Sequence, residues 1–299
     1  MRTLALITTL ALGLLGAGKA DGRVYDVWFL SGQSNMDGYG FNAELPEDLR
    51  APMPSVRIFV GNTAFNDVAG GGVGQWVALG PGFGTGFKAD GQGMTRSNRF
   101  GPELTFGRTL ATLTDANVAI VKYSLGGSGL EAGYGYGSWA IDADGSNQYD
   151  HALTTIRNAL AIRDIDGDGE ADTLRPAGIV WMQGEADGHA SEGASQRYAE
   201  NLKRLMDLLR AALRYDDLPV VIGRVNDSHQ GGAPTQPWID LVHAGQAAFV
   251  EADACAAYVT ETKEYAFSDD GWHYMSDDYL RMGRAFARAA HGLAERCGL

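Results

Sequence analysis

The sequence predicts an α/β fold in which one parallel β-sheet is covered by helices on both faces. Apolar runs of strand length alternate with longer amphipathic stretches from Val24 onward, and the composition does not shift along the chain. Three predicted strands also end in glycine-rich or polar turns, which is where open α/β folds build their sites. We therefore expect one domain over residues 21–299. Its other predicted elements are helices over residues 103–113, 151–165, 197–213 and 236–251, a last helix from Ser276, and strands over residues 56–60, 218–225 and 256–260.

The first twenty residues have the three regions of a secretory signal peptide. Arg2 precedes an apolar stretch from Leu4 to Leu15, and small residues then lead to Ala20. The alternative is an N-terminal membrane anchor, for which the apolar stretch is short. We predict a signal peptide over residues 1–20 and a secreted or periplasmic protein that has no membrane association after cleavage.

Acidic side chains outnumber basic ones by 37 to 24, which gives a formal net charge of −13. Such a chain lacks the basic footprint of a nucleic-acid-binding protein and would repel an anionic membrane surface. We expect no nucleic-acid partner and a neutral or weakly charged substrate.

The two cysteines of the chain are Cys255 and Cys297. In an oxidising compartment an even pair predicts a disulfide, here between the last predicted strand and the C-terminal helix. The alternative is two unpaired thiols, and neither cysteine has the surroundings of a catalytic one.

The first predicted strand, residues 24–30, runs into the turn Gly32-Gln33-Ser34-Asn35-Met36. This order places Ser34 at the carboxyl edge of the sheet and makes it the candidate nucleophile. A serine hydroxyl needs a histidine base, an acid that orients the histidine, and donors for the developing oxyanion.

A glycine-rich stretch from Gly61 to Phe100 follows and has little helical periodicity. A loop of this length in a compact domain usually serves a site. We expect it to line the approach to Ser34, with Trp76 and Phe83 as candidates for stacking on a sugar. The alternative is that these rings only pin the loop to the surface.

Two later strands end in turns that offer oxyanion donors. Residues 117–123 form a β-branched run that leads into Gly126 and Gly127. Glycines let backbone N–H groups point into a cleft without an intervening Cβ. Residues 177–182 lead into Gln183, whose side-chain amide can donate to an oxyanion.

An acidic loop after the helix over residues 151–165 is similar to the start of an EF-hand calcium site. Acids occupy alternate positions and a glycine occupies the sixth, but the twelfth position holds Arg175 in place of a bidentate acid. The alternative is an acidic surface turn. The candidate ligands of a structural, non-catalytic calcium ion are Asp164, Asp166, Asp168 and Asp172.

The turn before the last helix contains Asp270 and His273, three residues apart. This spacing lets the carboxylate bind one ring nitrogen while the other nitrogen faces the nucleophile, as a serine triad requires. Glu185 is a rival for the orienting acid because it follows a strand that ends at the same edge. We rank Asp270 first, since a tight turn brings it against the histidine.

Four ordered blocks carry a resemblance to a known family. They are Gly-Gln-Ser-Asn-Met at Ser34, Gly-Gly-Ser at Gly126, Trp-Met-Gln-Gly-Glu-Ala-Asp at Gln183 and Asp-Gly-Trp-His-Tyr at His273. Together they resemble the signature blocks of SGNH-type hydrolases, most closely the branch of sialate O-acetylesterases and family six acetylxylan esterases. Glutamine stands where the wider superfamily has aspartate in the nucleophile motif and asparagine in the third block, which is typical of this branch.

The resemblance implies the SGNH hydrolase fold, a flavodoxin-like three-layer α/β/α sandwich. It also implies the following roles: Ser34 as nucleophile, His273 as base, Asp270 as orienting acid, and an oxyanion hole from the Ser34 N–H, the N–H of Gly126 or Gly127, and the Gln183 side chain. Gln33, Asn35 and Glu185 are expected to support these groups.

The implied function is that of a secreted serine esterase that removes O-acetyl groups from carbohydrates through an acetyl-serine intermediate. The substrate would be acetylated xylan or O-acetylated sialic acid, and no cofactor is required. Two alternatives stay open at this point. One is an esterase or lipase of non-carbohydrate esters, and the other is a carbohydrate-binding protein that has lost catalysis.

Overall fold

A seven-stranded β-sheet forms the centre of the computed structural model, which describes residues 22–133, 135–142 and 144–298. The strands are β1 (Val24–Gly32), β2 (Met53–Val60), β3 (Trp76–Leu79), β4 (Asn117–Ser124), β5 (Thr173–Met182), β6 (Val220–Gly223) and β7 (Ala256–Val259). Their spatial order is β7-β6-β5-β1-β4-β2-β3. Neighbouring strands are parallel except β2 and β3, which are antiparallel. The predicted signal peptide over residues 1–20 lies outside the described residues.

Helices flank this sheet and complete a three-layer α/β/α arrangement, which confirms the predicted fold class. They are α1 (Ser34–Asp37), α2 (Glu47–Arg50), α3 (Glu103–Leu113), α4 (Gln148–Ala161), α5 (Glu185–Ala190), α6 (Glu192–Gln196), α7 (Tyr198–Leu213), α8 (Ile239–Ala252) and α9 (Ser276–Cys297). Helix α3 packs on α9, α7 packs on α8, and α4 packs on β4. None of the described helices has both the length and the hydropathy of a membrane-spanning segment.

The register of the three central strands places their carboxyl ends together. Gly32, the last residue of β1, pairs with Met182 of β5 on one side and with Ser124 of β4 on the other. These strand ends are buried, because helices cover both faces of the sheet. The turns that follow β1, β4 and β5 therefore lie side by side.

The stretch over residues 61–100 is not the structureless loop that its glycines predict. It contributes the antiparallel edge strand β3, and Trp76 in this strand donates its indole N–H to the Ala159 carbonyl at 2.9 Å. Phe83 is only 1% exposed. The prediction that these two rings stack on a sugar is wrong, because both are part of the hydrophobic core.

A disulfide joins Cys255, the residue before β7, to Cys297 at the end of α9, with the two Cα atoms 6.0 Å apart. The covalent bond closes a loop of 42 residues in sequence separation. It ties the C-terminal helix to the edge of the sheet.

The acidic loop lies at the amino end of β5, on the edge of the sheet opposite the strand ends described above. Carboxylate oxygens of Asp164, Asp166 and Asp172 lie within 4.8 Å of one another, without Asp168. However, Arg23 forms ion pairs with Asp166 and Asp168, and backbone N–H groups bind both oxygens of Asp172. The expected structural calcium ion has no support, since a protein cation and backbone donors already occupy these oxygens.

Candidate active site

Ser34 lies at the end of the central strand, where it begins the four-residue helix α1. The backbone N–H of Gln33 donates to the Met182 carbonyl at 3.0 Å, which fixes the turn against β5. The fully buried Met36 holds the other end of α1 in the core. Strand pairing and core packing thus set the position of Ser34.

Ser34 opens into a cavity of about 570 Å³ that also contains His273. Within the described residues, neither the Ser34 hydroxyl nor His273 Nε2 has a hydrogen-bond partner. Both are therefore free to act on each other and on a substrate, and the serine–histidine contact is often loose in ligand-free sites. The described lining residues are Gln33, Ser34, Tyr39, Gly126, Gly127, Gly133, Gly135, Tyr136, Ala186, His189, Ala190, Trp272 and His273.

Two contacts hold the His273 ring. Its Nδ1 lies 2.6 Å from Asp270 Oδ2, and its face stacks on Tyr39 with ring centroids 3.5 Å apart and planes 5° from parallel. The carboxylate accepts from Nδ1–H, so the Nε2 lone pair is left for the nucleophile. Glu185, the rival acid, contacts Asn35 and not the histidine in this structure.

Burial lowers the pKa of His273 below its ordinary value, and the Asp270 carboxylate offsets only part of this effect. For Asp270, burial acts against ionisation, but hydrogen bonds from the His273 side chain and from the N–H groups of Trp272 and His273 outweigh it. They lower the Asp270 pKa to about 2. The pair is therefore a neutral imidazole beside an ionised carboxylate at neutral pH, which is the state a general base requires.

Three backbone N–H groups belong to residues that line the cavity together with the Ser34 hydroxyl. The N–H groups of Ser34, Gly126 and Gly127 donate to no described residue. A Cβ on Gly126 would lie 3.4 Å from the Ser34 Cβ, whereas Gly127 has a φ of 67° and faces the Tyr136 ring. Gly126 is thus the glycine beside Ser34, and Gly127 forms the left-handed turn that follows it.

The structure places the two glutamines differently from the sequence prediction. The amide nitrogen of Gln183 donates to Asp187 Oδ2 at 2.6 Å and to the Ser128 carbonyl at 3.0 Å, and Gln183 is fully buried away from the cavity lining. By contrast, Gln33 lines the cavity. Gln183 therefore has no free donor for an oxyanion in this structure, because its amide hydrogens already serve internal acceptors, which also include Gln33 Oε1 at 3.4 Å.

Asn35, in the turn that contains Ser34, forms hydrogen bonds with three other segments of the chain. Its amide nitrogen donates to Glu185 Oε1 at 2.7 Å and to the Trp272 carbonyl at 3.1 Å, while its oxygen accepts from the Tyr279 hydroxyl at 2.7 Å. One side chain therefore links the turns that follow β1 and β5, the histidine-bearing turn and helix α9. Asn35 and Glu185 are thus hydrogen-bonded to each other, and their supporting role stays a prediction.

Three polar side chains of the cavity have no counterpart in the sequence prediction. They are Tyr39, which stacks on His273, and Tyr136 and His189, which line the cavity. Tyr39 follows Ser34 by only five residues, and this short distance in the sequence was the one signal that could have predicted its place in the site. Tyr136 and His189 come from loop and helix positions that only the tertiary fold brings to Ser34.

Solved structures share this fold. A protein of Arabidopsis thaliana has a TM-score of 0.62 at 20% identity, covering 89% of this chain and 97% of that one. A carbohydrate acetylesterase from Xanthomonas citri has a TM-score of 0.61 at 19% identity, covering 90% of this chain and 57% of that one. NanS has a TM-score of 0.60 at 17% identity, covering 91% and 98%. A search of curated proteins found no match.

A family model provides the assignment. The model described as carbohydrate esterase, sialic acid-specific acetylesterase, matches residues 24–292, which include the Ser34 turn, the Gln183 turn and the His273 turn. The chain is therefore a carboxylic ester hydrolase that belongs to the family of carbohydrate esterases described as sialic acid-specific acetylesterases.

Proposed function

We propose that this protein is a secreted serine esterase that hydrolyses O-acetyl groups of carbohydrates, such as acetylated xylan or O-acetylated sialic acid, through an acetyl-serine intermediate. One observation carries the proposal. Ser34 shares a cavity with His273, and Nδ1 of this histidine lies 2.6 Å from the ionised carboxylate of Asp270. Hydrolysis of carbohydrate O-acetyl groups is also what the family supports.

Acylation begins when His273 Nε2 takes the proton of the Ser34 hydroxyl. The Ser34 oxygen then forms a bond to the acetyl carbonyl carbon. When the tetrahedral intermediate collapses, the bond between the acetyl carbon and the sugar oxygen breaks, and the imidazolium returns its proton to that oxygen. Asp270 stabilises the imidazolium while it carries the proton.

Deacylation repeats these steps with water. His273 takes a proton from the water molecule, whose oxygen attacks the acetyl carbon, and Ser34 leaves with the proton that the imidazolium returns. Acetate is released and the serine is regenerated. Every proton transfer uses groups of this chain, so the proposed reaction uses no metal ion and no organic cofactor.

The negative charge on the carbonyl oxygen needs donors that are already in place. We assign this role to the backbone N–H groups of Ser34 and Gly126 and to the side-chain amide of Gln33. Their availability supports the assignment, since none of the three donates to a described residue. This assignment replaces Gln183, whose amide hydrogens are bound by Asp187 and Ser128.

The proposed function is tested by measuring acetate release from acetylated xylan and from O-acetyl sialic acid. Wild-type protein should release acetate from at least one of them, and Ser34→Ala should lower the rate by at least about 10³-fold, because the nucleophile is lost. The matched control is Ser55→Ala at an exposed serine of β2, which should leave the rate unchanged. Hydrolysis of other esters alone would overturn the carbohydrate substrate, and full activity of Ser34→Ala would overturn the mechanism.

A further inference from the structure

The described lining of the Ser34 cavity contains no lysine and no arginine. Lys88 lines an adjoining cavity of about 600 Å³, and the Arg99 guanidinium lies over the Phe41 ring, 3.4 Å from its centroid and 5.8 Å from the centroid of the Tyr39 ring. A carboxylate that leaves water without a cationic partner is strongly disfavoured. A sugar that carries a carboxylate would find no lysine or arginine in this lining to pair with it, in a chain whose formal net charge is −13.

His189 is a second histidine in the same cavity, and a backbone contact fixes its hydrogen-bonding state. Its Nδ1 lies 2.9 Å from the Thr235 carbonyl oxygen. A carbonyl oxygen only accepts, so Nδ1 carries the proton, and in the neutral ring Nε2 presents a lone pair. Within the described residues Nε2 has no partner, and the side chain is exposed.

Aromatic rings complete the surroundings of His189. The Trp272 ring meets the His189 ring edge to face, with centroids 5.3 Å apart, and Trp272 directly precedes the catalytic histidine. Tyr136, which is 76% exposed, stands over Gly127 in the lining of the same cavity. The cavity thus combines exposed ring faces with an imidazole nitrogen that has no partner among the described residues, which suits an apolar sugar face and a sugar hydroxyl.

We propose that the Ser34 cavity takes the acetyl ester of an uncharged sugar, and that His189 is a specificity residue that accepts a hydrogen bond from a hydroxyl of this sugar. The inference rests on the proposed function and narrows its substrate class. The expected substrates are acetylated neutral polysaccharides and not acetylated sialic acids.

The preference for an uncharged sugar is tested by giving the full-length protein three substrates. They are an acetylated xylo-oligosaccharide, O-acetyl sialic acid, and the methyl ester of the same O-acetyl sialic acid. We expect kcat/KM for the neutral oligosaccharide to exceed that for O-acetyl sialic acid by at least about tenfold. Esterification of the carboxyl group should recover part of this difference. Equal or faster turnover of the charged sialic acid, with no gain on esterification, would overturn the inference.

The role of His189 is tested with two variants that separate the contribution of Nδ1 from that of Nε2. His189→Asn keeps a donor near Nδ1 and removes Nε2, and His189→Gln places an amide near the Nε2 position. In His189→Asn the ratio of kcat/KM for the acetylated oligosaccharide to that for p-nitrophenyl acetate should fall about 3- to 10-fold, the worth of one hydrogen bond. His189→Gln should recover part of that ratio.

The matched control is His291→Asn, on α9 outside the cavity lining, which should leave the ratio unchanged. An equal loss on both substrates in His189→Asn would show a merely structural role and overturn the inference. If Ser34 cleaves p-nitrophenyl acetate but no acetylated sugar, the proposed function itself fails, and this outcome is distinguishable from a change in the ratio alone.

Discussion

At the scale of single residues, Gln33 shows how hydrogen bonds decide which end of an amide is free. Its Oε1 accepts from Ala186 N at 3.2 Å, from Gln183 Nε2 at 3.4 Å and from Gly184 N at 3.5 Å. All three partners are N–H donors, so the atom they bind must be the oxygen. The amide nitrogen of Gln33 is therefore the end that remains for the cavity.

This orientation predicts a specific defect in Gln33 variants. Gln33→Glu and Gln33→Met both remove the amide donor at nearly the same side-chain length. Gln33→Met does so without adding a charge. Each should lower kcat for p-nitrophenyl acetate about 10²-fold, because one oxyanion donor is lost, while KM changes little. Thermal unfolding of both proteins serves as the control for folding. A Gln33→Met protein that is folded and keeps full kcat would contradict the assignment.

The contact between Asp270 and His273 was more predictable than the packing around it. A spacing of three positions from Asp270 to His273 in one turn suffices to predict their contact, and the structure has it at 2.6 Å. The stacking of Tyr39 on His273 was not predictable, because it depends on how the chain after α1 passes the His273 turn. The hydrogen bonds of the Gln183 amide to Asp187 and Ser128 were not predictable either, since a sequence does not show which buried acceptor an amide meets.

At the scale of elements, buried acids join the turns around the site. Glu185 begins α5, and Asp187 in the same helix accepts the backbone N–H of Leu130 at 3.0 Å. Burial raises the Glu185 pKa to about 7, and its Oε2 has no hydrogen-bond partner among the described residues. Burial likewise raises the pKa of Asp187 and of Asp37 to about 6.

These raised pKa values predict how stability depends on pH. The folded protein keeps a proton on Glu185 that the unfolded chain loses above about pH 4.5, so stability falls as the pH rises from about 4.5 to about 7. Glu185→Gln mimics the protonated form and should make this fall smaller by about 1–3 kcal/mol. Part of the fall should remain, since Asp37 and Asp187 act in the same direction.

The measurement is the free energy of unfolding in urea at pH 5 and pH 8 for wild type, Glu185→Gln and a control, Glu200→Gln, which changes an exposed glutamate of α7. The control should follow the wild type. Identical pH dependence in all three proteins would show that Glu185 is ionised in the folded state and would contradict the account.

Strands and helices with clear periodicity were predicted within a few residues, whereas weakly patterned stretches were not. The helix predicted over residues 197–213 is α7, Tyr198–Leu213, because its leucines recur at helical spacing and pack inward. The edge strand β3 was missed, because its four residues lie among glycines and have too little pattern to signal a strand.

At the scale of the whole molecule, the sheet order explains why distant segments meet at Ser34. Strands β5, β1 and β4 are neighbours in space, although residues 33 and 183 are far apart in the chain. Alternation of strands and helices predicted a parallel sheet and hence a shared carboxyl edge. It did not predict the cavity, because cavity shape depends on how the loops after these strands pack.

The central claim is that one activated serine carries the hydrolysis, and covalent titration of Ser34 tests it most directly. The protein is treated with a limiting amount of a fluorophosphonate, the modified residue is identified by peptide mass spectrometry, and acetate release from an acetylated carbohydrate is measured on the same samples. We predict modification at Ser34 and a linear fall of activity to zero at one modification per chain. Acetate release that persists when Ser34 is fully modified would contradict the account.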